Sequence, residues 1–223
     1  MHDWGPVGEA VETDQVEVDL FGLDLAGKAL ARCYASLDPD ERSRAASFRY
    51  NRDRDRFVAR RGQLRGRLAR EVGETPCAVR IATDAYGKPF LPDYPDLHFN
   101  VSHSQGQALC AIGYGVEVGC DIEWRDPELA CHHVARRLFA ASERAALATL
   151  PDAHWTEGFF NCWTRKEAYV KALGLGLSYS LDAFTVSVVP GEPARLIEAQ
   201  PGWSLCSFEP APGFQAALVT RTG

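Results

Sequence analysis

Acidic side chains at alternate positions of a strand project side by side, and the stretch EVGCDIEW (117–124) holds two of them in that spacing. Alternation puts Gly119, Asp121 and Glu123 on one face and Val118, Cys120, Ile122 and Trp124 on the other, an unbroken apolar face suited to burial. Oxygen ligands so arranged suit a hard cation such as Mg²⁺, which takes one or a few protein carboxylates and fills its remaining positions with water and phosphate. The same pattern also fits an acidic strand face turned to solvent.

A second group lies in FFNCWTRKEAYVKALGLG (159–176), where Glu167 and Lys171 are four residues apart and so neighbours on one helical face, with Phe160 and Trp163 one to two turns earlier. Standing alone, the pair is equally an ordinary surface contact worth about 0.2–0.5 kcal/mol. In HFNVSHS (98–104), Phe99 and Val101 face one way, His98, Asn100 and Ser102 the other, and His103 falls near the strand end, where a histidine can bind an anion or simply serve the structure. YGKP (86–89) sets Lys88 in a Gly-Pro turn, free to reach a phosphate or merely to sit in solvent.

Residues 42–70 carry eleven arginines against Asp53 and Asp55, although the 223-residue chain as a whole has a net charge of −6. Phe57, Leu64, Leu68 and Val72 recur at helical spacing, so 52–72 reads as an amphipathic helix with a strongly cationic side. Phosphate of a small ligand, nucleic acid and plain solvent are three accounts of that side.

The elements that must position these groups follow from punctuation and periodicity. A strand is expected at 16–23 and a helix at 25–37, and a further helix begins at Pro39 behind an N-cap at Asp38. After the arginine helix come strands at 79–83, 97–104, 108–115 and 117–124, then helices at 132–150 and 156–173, the latter stopped by Gly174 and Gly176. Strands near 183–189, 203–209 and 214–220 close the chain. Strand, helices and strands thus occur twice, which predicts an α+β protein of two similar-sized halves, 1–115 and 116–223, meeting near Gly115.

With 46% hydrophobic residues there is material for a real core, and seven cysteines without a CxxC pair suggest neither a disulfide framework nor a zinc site but a reducing cytoplasm. The opening MHDWGPVGEAVETD has no basic and then apolar run of a signal peptide, and no apolar stretch is long enough to span a bilayer, so neither export nor a membrane partner is expected.

Taken in order, FNVSHS, GCDIE about a dozen residues on and WTRKEAYVK about forty further resemble the Sfp-type 4′-phosphopantetheinyl transferases, and with YGKP the resemblance runs from about Pro39 to Phe184. WTRKEAYVK fits the family's W-[ST]-x-K-E-[AS]-x-x-K pattern through Trp163, Thr164, Lys166, Glu167, Ala168 and Lys171. GCDIE departs from it once, with Cys120 in place of Ile or Val, on the apolar face and away from the carboxylates. Glu41 stands where a Lys would be expected, with Arg42 and Arg44 nearby.

The resemblance implies a pseudo-dimeric fold with the active site in the cleft between halves, and transfer of the phosphopantetheine arm of coenzyme A to a serine of an acyl or peptidyl carrier protein. Asp121, Glu123 and Glu167 would bind Mg²⁺, or Mn²⁺ in its place. Glu167 would also take the serine proton, and Lys171 would neutralise or protonate the departing phosphate. Lys88, Ser102 and His103 would contact the phosphates, while Arg44, Arg56, Arg60 and Arg61 are candidates for the nucleotide end. A partly basic rim with Phe139 and Leu147 is expected to receive an acidic carrier protein. A nucleic-acid-binding module led by the arginine helix is the alternative, disfavoured by the acidic net charge, and an inactive relative that only binds coenzyme A or carrier is a third reading.

Overall fold

The structure, a computed structural model, describes residues 16–222. The opening 1–14, expected to carry no signal peptide, lies outside the described residues.

The first part runs β1 (Val16–Gly22), α1 (Gly27–Ser36), α2 (Pro39–Ala46), α3 (Asn51–Val72), the short β2 (Ala82–Thr83) and β3 (Pro89–Phe90), then β4 (Leu97–Ser104) and β5 (Gln107–Tyr114). Gly115, at φ +62°, turns the chain straight into β6 (Val116–Trp124). After it come α4 (His132–Leu138), α5 (Ala141–Ala148), α6 (Asp152–Leu173), β7 (Thr185–Val186), β8 (Leu196–Glu198), β9 (Trp203–Phe208) and β10 (Phe214–Thr222). One antiparallel sheet has the order β1-β5-β4 and a second the order β6-β10-β9, with Val16 opposite Gly113 in the first and Phe214 opposite Trp124 in the second.

Burial stacks these elements as helix, sheet, sheet, helix. Leu64 and Leu68 of α3 pack on Phe99, Cys110 and Ile112 of the first sheet. The opposite face of that sheet, through Val18, Leu109 and Ala111, meets Val118, Cys120, Ile122, Ala216 and Leu218 of the second. Outside the second sheet, Phe160, Ala168 and Ala172 of α6 pack with Ala217 and Val219 of β10. The apolar face expected for β6 is thus buried between sheets as far as Ile122, whereas Trp124 stays partly exposed and packs edge-on against Phe214 at 5.1 Å.

Gly119 lets α6 approach β6 this closely. A Cβ there would fall 2.2 Å from the Ala172 amide nitrogen and 2.3 Å from the Ala168 carbonyl oxygen, both backbone atoms that cannot swing aside.

The arginine helix differs from its expected form. Arg65 and Arg67 are buried, and Arg65 lies between Glu41, at 2.6 Å, and Asp38 while also donating to the Val79 carbonyl. Arg61 pairs with Glu41, Arg67 with Asp19, Arg56 with Asp24 and Arg54 with Asp55. Glu41 also completes a capping box with Asp38 at the start of α2, the Glu41 amide donating to Asp38 at 2.8 Å and the Asp38 amide to Glu41 at 3.1 Å. The acid at position 41 is therefore a structural anchor, and much of the expected cationic side is neutralised within the fold.

Two further expectations are corrected. The helix expected over 132–150 breaks at Phe139 and Ala140, because the Glu143 carboxylate accepts the Ala140 amide as an N-terminal cap. Glu143 also pairs with the fully buried Lys166 at 2.8 Å and accepts the Val186 amide, while Lys166 donates to the carbonyls of Leu181 and Phe184. Phe139 and Leu147, expected on a docking surface, are both buried in the core beside α6.

The cysteines are all free. Burial pushes the Cys33 thiol up to about 11 and the Cys120 thiol up to about 12, and raises those of Cys110 and Cys162 as well, while Cys77 and Cys206 are exposed.

Candidate functional site

β4 and β6 run beside each other without a backbone ladder and are joined by side chains of β4. Asn100, Ser102 and Ser104 fall on one face by alternation. The Cys120 amide donates to Asn100 Oδ1 at 2.9 Å, the Ser102 hydroxyl donates to Asp121 Oδ1 at 2.7 Å, and the Trp124 amide donates to Ser104 Oγ at 3.0 Å. This seam brings the first sheet to the carboxylates of the second.

Asp121 is buried at its centre. Lys171, one turn beyond Glu167 on α6, donates to Asp121 Oδ1 at 2.5 Å and to Ser102 Oγ at 2.9 Å. Asp121 Oδ2 is buried without a hydrogen-bond partner among the described residues. A buried carboxylate oxygen left so is costly unless a cation or donor meets it.

Glu123 accepts the Trp163 indole N–H at 3.3 Å. Burial and then the neighbouring Asp121 charge raise the carboxyls of both Glu123 and Glu167 above their usual range. For Lys171, burial opposes the charge, but Asp121, by charge and hydrogen bond, prevails and holds the ammonium above its ordinary value.

Asp121 acts by its charge on both Glu123 and Glu167, and its orphaned oxygen suits a hard divalent cation in the chemistry of the donor. Among the described residues, no group of three or more His, Cys, Asp or Glu side chains is placed to hold a metal ion. An ion with few protein ligands and the rest from water and phosphate is compatible with that open arrangement.

Arg56, Arg60 and His103 face a cavity of about 500 Å³, walled by Phe48 and Phe57, with Arg52 at its edge. Arg60 is held down to about 10 by burial and by Arg61, and His103 down to about 4 by desolvation and by Arg60, Lys171 and Arg56. Arg56 is paired with Asp24 at 2.6 Å and Asp53 also lines the cavity, so Arg60 and Arg52 beside the neutral imidazole supply most of what suits an anion. Arg44 stacks on Phe48 with 5.3 Å from guanidinium carbon to ring centre, which puts it next to this wall.

Two expected contacts lie elsewhere. The Arg61 guanidinium is committed to Glu41 at 2.5 Å. Lys88 donates to the Ala172 carbonyl at 2.7 Å, in the last turn of α6, and lines a separate cavity with Asp84 and Glu117. Its ammonium is lowered by burial in spite of those two acids.

Ser104, Trp163, Asn100 and Arg52 are positioned at the site although the motifs gave none of them a role there. Ser104 continues the Asn100–Ser102 row, so strand alternation carried its signal. Trp163, four residues before Glu167, was signalled by helical spacing, although its contact to β6 crosses between elements.

Comparison with known proteins adds independent findings. Residues 117–219 match the model of the 4′-phosphopantetheinyl transferase superfamily, and residues 26–113 match that of the 4′-phosphopantetheinyl transferase N-terminal region. The chain is 36% identical over 223 residues to the 4′-phosphopantetheinyl transferase HetI of Nostoc sp., covering 98% of this chain and 93% of the relative. It is 30% identical over 190 residues to the 4′-phosphopantetheinyl transferase Sfp of Bacillus subtilis, covering 84% and 83%. It is 29% identical over 169 residues to the human L-aminoadipate-semialdehyde dehydrogenase-phosphopantetheinyl transferase, covering 70% of this chain and 54% of the relative. With likeness of this extent along nearly its whole length, the chain belongs to the 4′-phosphopantetheinyl transferase superfamily.

Proposed function

We infer that this protein transfers the 4′-phosphopantetheine group of coenzyme A to a serine of an apo acyl or peptidyl carrier protein, giving the holo-carrier and adenosine 3′,5′-bisphosphate. The observation that carries the reading is the buried Asp121 carboxylate, clamped across the β4–β6 seam by Ser102 and Lys171 with its second oxygen uncommitted. Each half contributes, the first up to Gly115 with Ser102, His103 and the arginine-lined cavity, the second with the carboxylates and Lys171.

The serine hydroxyl attacks the phosphorus that bears pantetheine, the pyrophosphate P–O bond breaks, and the nucleotide leaves as the bisphosphate. Asp121, Glu123 and Glu167 would hold Mg²⁺ or Mn²⁺, which when bound supplies charge neutralisation at the pyrophosphate. Glu167, raised by burial and by Asp121, is suited to take the serine proton once hydroxyl and carboxylate meet. Lys171 keeps its proton tightly, which favours the role of a fixed positive charge beside the leaving phosphate over that of an acid. Arg60 and His103 are the best-placed anion grip for the nucleotide, with Arg56, held by Asp24, beside them and Arg44 at the cavity wall. Lys88 serves this reading indirectly, by capping the helix end next to Lys171.

Seven free thiols fit a cytoplasmic setting, and among the described residues no helix is long and apolar enough to cross a membrane. Both parts of the site come from one chain, which supports action as a monomer. The nucleic-acid alternative loses its footing because the arginines of α3 are extensively paired with carboxylates inside the fold.

The test is mass spectrometry of an apo carrier protein incubated with the enzyme, coenzyme A and Mg²⁺. The expected result is a gain of one phosphopantetheine, abolished by EDTA and by Asp121→Ala or Glu167→Ala in variants that still fold. No gain across acyl, polyketide and peptidyl carriers, or near-normal turnover in either variant, would overturn the reading.

A further inference from the structure

The first sheet reaches the carboxylates of the second through more than Ser102. Ser104 ends the same row of β4, and its hydroxyl has one proton to give and lone pairs to accept with. The Trp124 backbone amide already donates to Ser104 Oγ at 3.0 Å, which fixes the hydroxyl oxygen beside Glu123, the preceding residue on β6. The hydroxyl proton is thereby left free, and the Ser104 side chain, next to Glu123, draws its carboxyl downward against the larger effects of burial and of Asp121. From the other side, the Trp163 indole N–H, held at the end of a ring stack with Phe159 at 6.4 Å, donates to Glu123 Oε1 at 3.3 Å. Glu123 therefore has a neutral group on either side, the Trp163 indole in hydrogen-bond contact and the Ser104 hydroxyl beside it, and neither brings a positive charge that would exclude a cation.

We propose that Ser104 is a positioning residue that sets the Glu123 carboxylate for a divalent cation, so that the strand carrying His103 also orients the acid that binds the metal. The inference rests on the transferase reading, in which Glu123 is one of the ion's ligands. Partners that orient a ligating carboxylate typically change metal affinity about 10–100-fold when removed. A serine that only tied β4 to β6 would instead lower the unfolding midpoint and leave metal affinity alone.

The experiment is a direct titration of the full-length enzyme with Mn²⁺, by calorimetry or by electron paramagnetic resonance of the free ion, alongside thermal unfolding. Ser104→Ala should weaken Mn²⁺ binding about ten-fold or more. Ser104→Thr, which keeps the hydroxyl, should stay within about two-fold of the parent, a change well below that range. In a Glu123→Gln background, Ser104→Ala should add little, because the group it positions is already altered. Wild-type affinity in Ser104→Ala, or the same loss with and without Glu123, would overturn the inference while leaving the transferase reading intact. Failure of the wild-type enzyme to bind Mn²⁺ would overturn both the inference and the metal assignment. Loss of phosphopantetheine transfer despite normal Mn²⁺ titrations would count against the transferase reading alone.

Discussion

His103 sits among Arg56, Arg60 and Lys171, and desolvation and these charges hold its imidazole down to about 4 against an ordinary 6.5. The neutral ring is the favoured folded form, so the fold loses stability as pH falls below 6.5 toward 4, where the unfolded chain takes up the proton first. An anion in the cavity reverses the local sign, since a negative phosphate favours the imidazolium. Proton NMR of the free enzyme should place the His103 midpoint well below 6.5, and saturation with coenzyme A should move it upward. A midpoint near 6.5 unaffected by the ligand would remove His103 from the anion site. That Asp121 and Glu123 share a strand face and Glu167 and Lys171 a helix face was legible, because strand alternation and i,i+4 spacing report it. Arg61 and Lys88 show the limit of such spacing: the former is claimed by Glu41 and the latter by the Ala172 carbonyl, partners far away in sequence.

At the level of elements, α6 carries Glu167 and Lys171 and is fixed by two features in which neither of them takes part. One is the missing Cβ of Gly119. Gly119→Ala would drive a carbon into the α6 backbone, and we expect a loss of about 1–3 kcal/mol or more together with a fall in turnover. Gly22→Ala, at a site with nothing within 4 Å, is the control that should change neither by much. The other is the Lys166–Glu143 pair. Lys166→Met leaves an uncompensated carboxylate in the core and should cost about 3–5 kcal/mol in denaturant unfolding, with part regained on adding Glu143→Gln. The long elements were legible from sequence, β4 over its full span and α3 to within one residue, because each buries a periodic apolar face. The break between α4 and α5 was not, since it depends on one acid capping Ala140 while facing Lys166 on another helix. Strand patterns at 79–83 and 183–189 shrank to Ala82–Thr83 and Thr185–Val186, where only two residues of each find a partner strand.

Across the whole molecule, electrostatics separates what composition suggests from what the fold leaves available. Eleven arginines between 42 and 70 read as a basic surface, yet Asp19, Asp24, Asp38, Glu41 and Asp55 each engage one or more of them. With the net charge at −6, we expect no measurable binding of duplex DNA at physiological salt in a fluorescence anisotropy titration. Salt-sensitive binding of DNA there would show that the paired arginines open readily. Asp19, Asp24, Asp38 and Glu41, all outside 42–70, engage Arg56, Arg61, Arg65 and Arg67 and so neutralise part of this charge, which a local charge count cannot anticipate.

The distribution of thiols offers a ruler. Cys33, Cys110, Cys120 and Cys162 are sealed in the interior with their thiolates disfavoured, whereas Cys77 follows α3 and Cys206 lies on β9, both open to reagents. A maleimide dye should therefore mark those two first, one on each side of the seam, without engineering of the native chain. Donor and acceptor fluorophores at these positions would report directly whether arrival of the nucleotide draws the two flanks together or finds them already at their working separation.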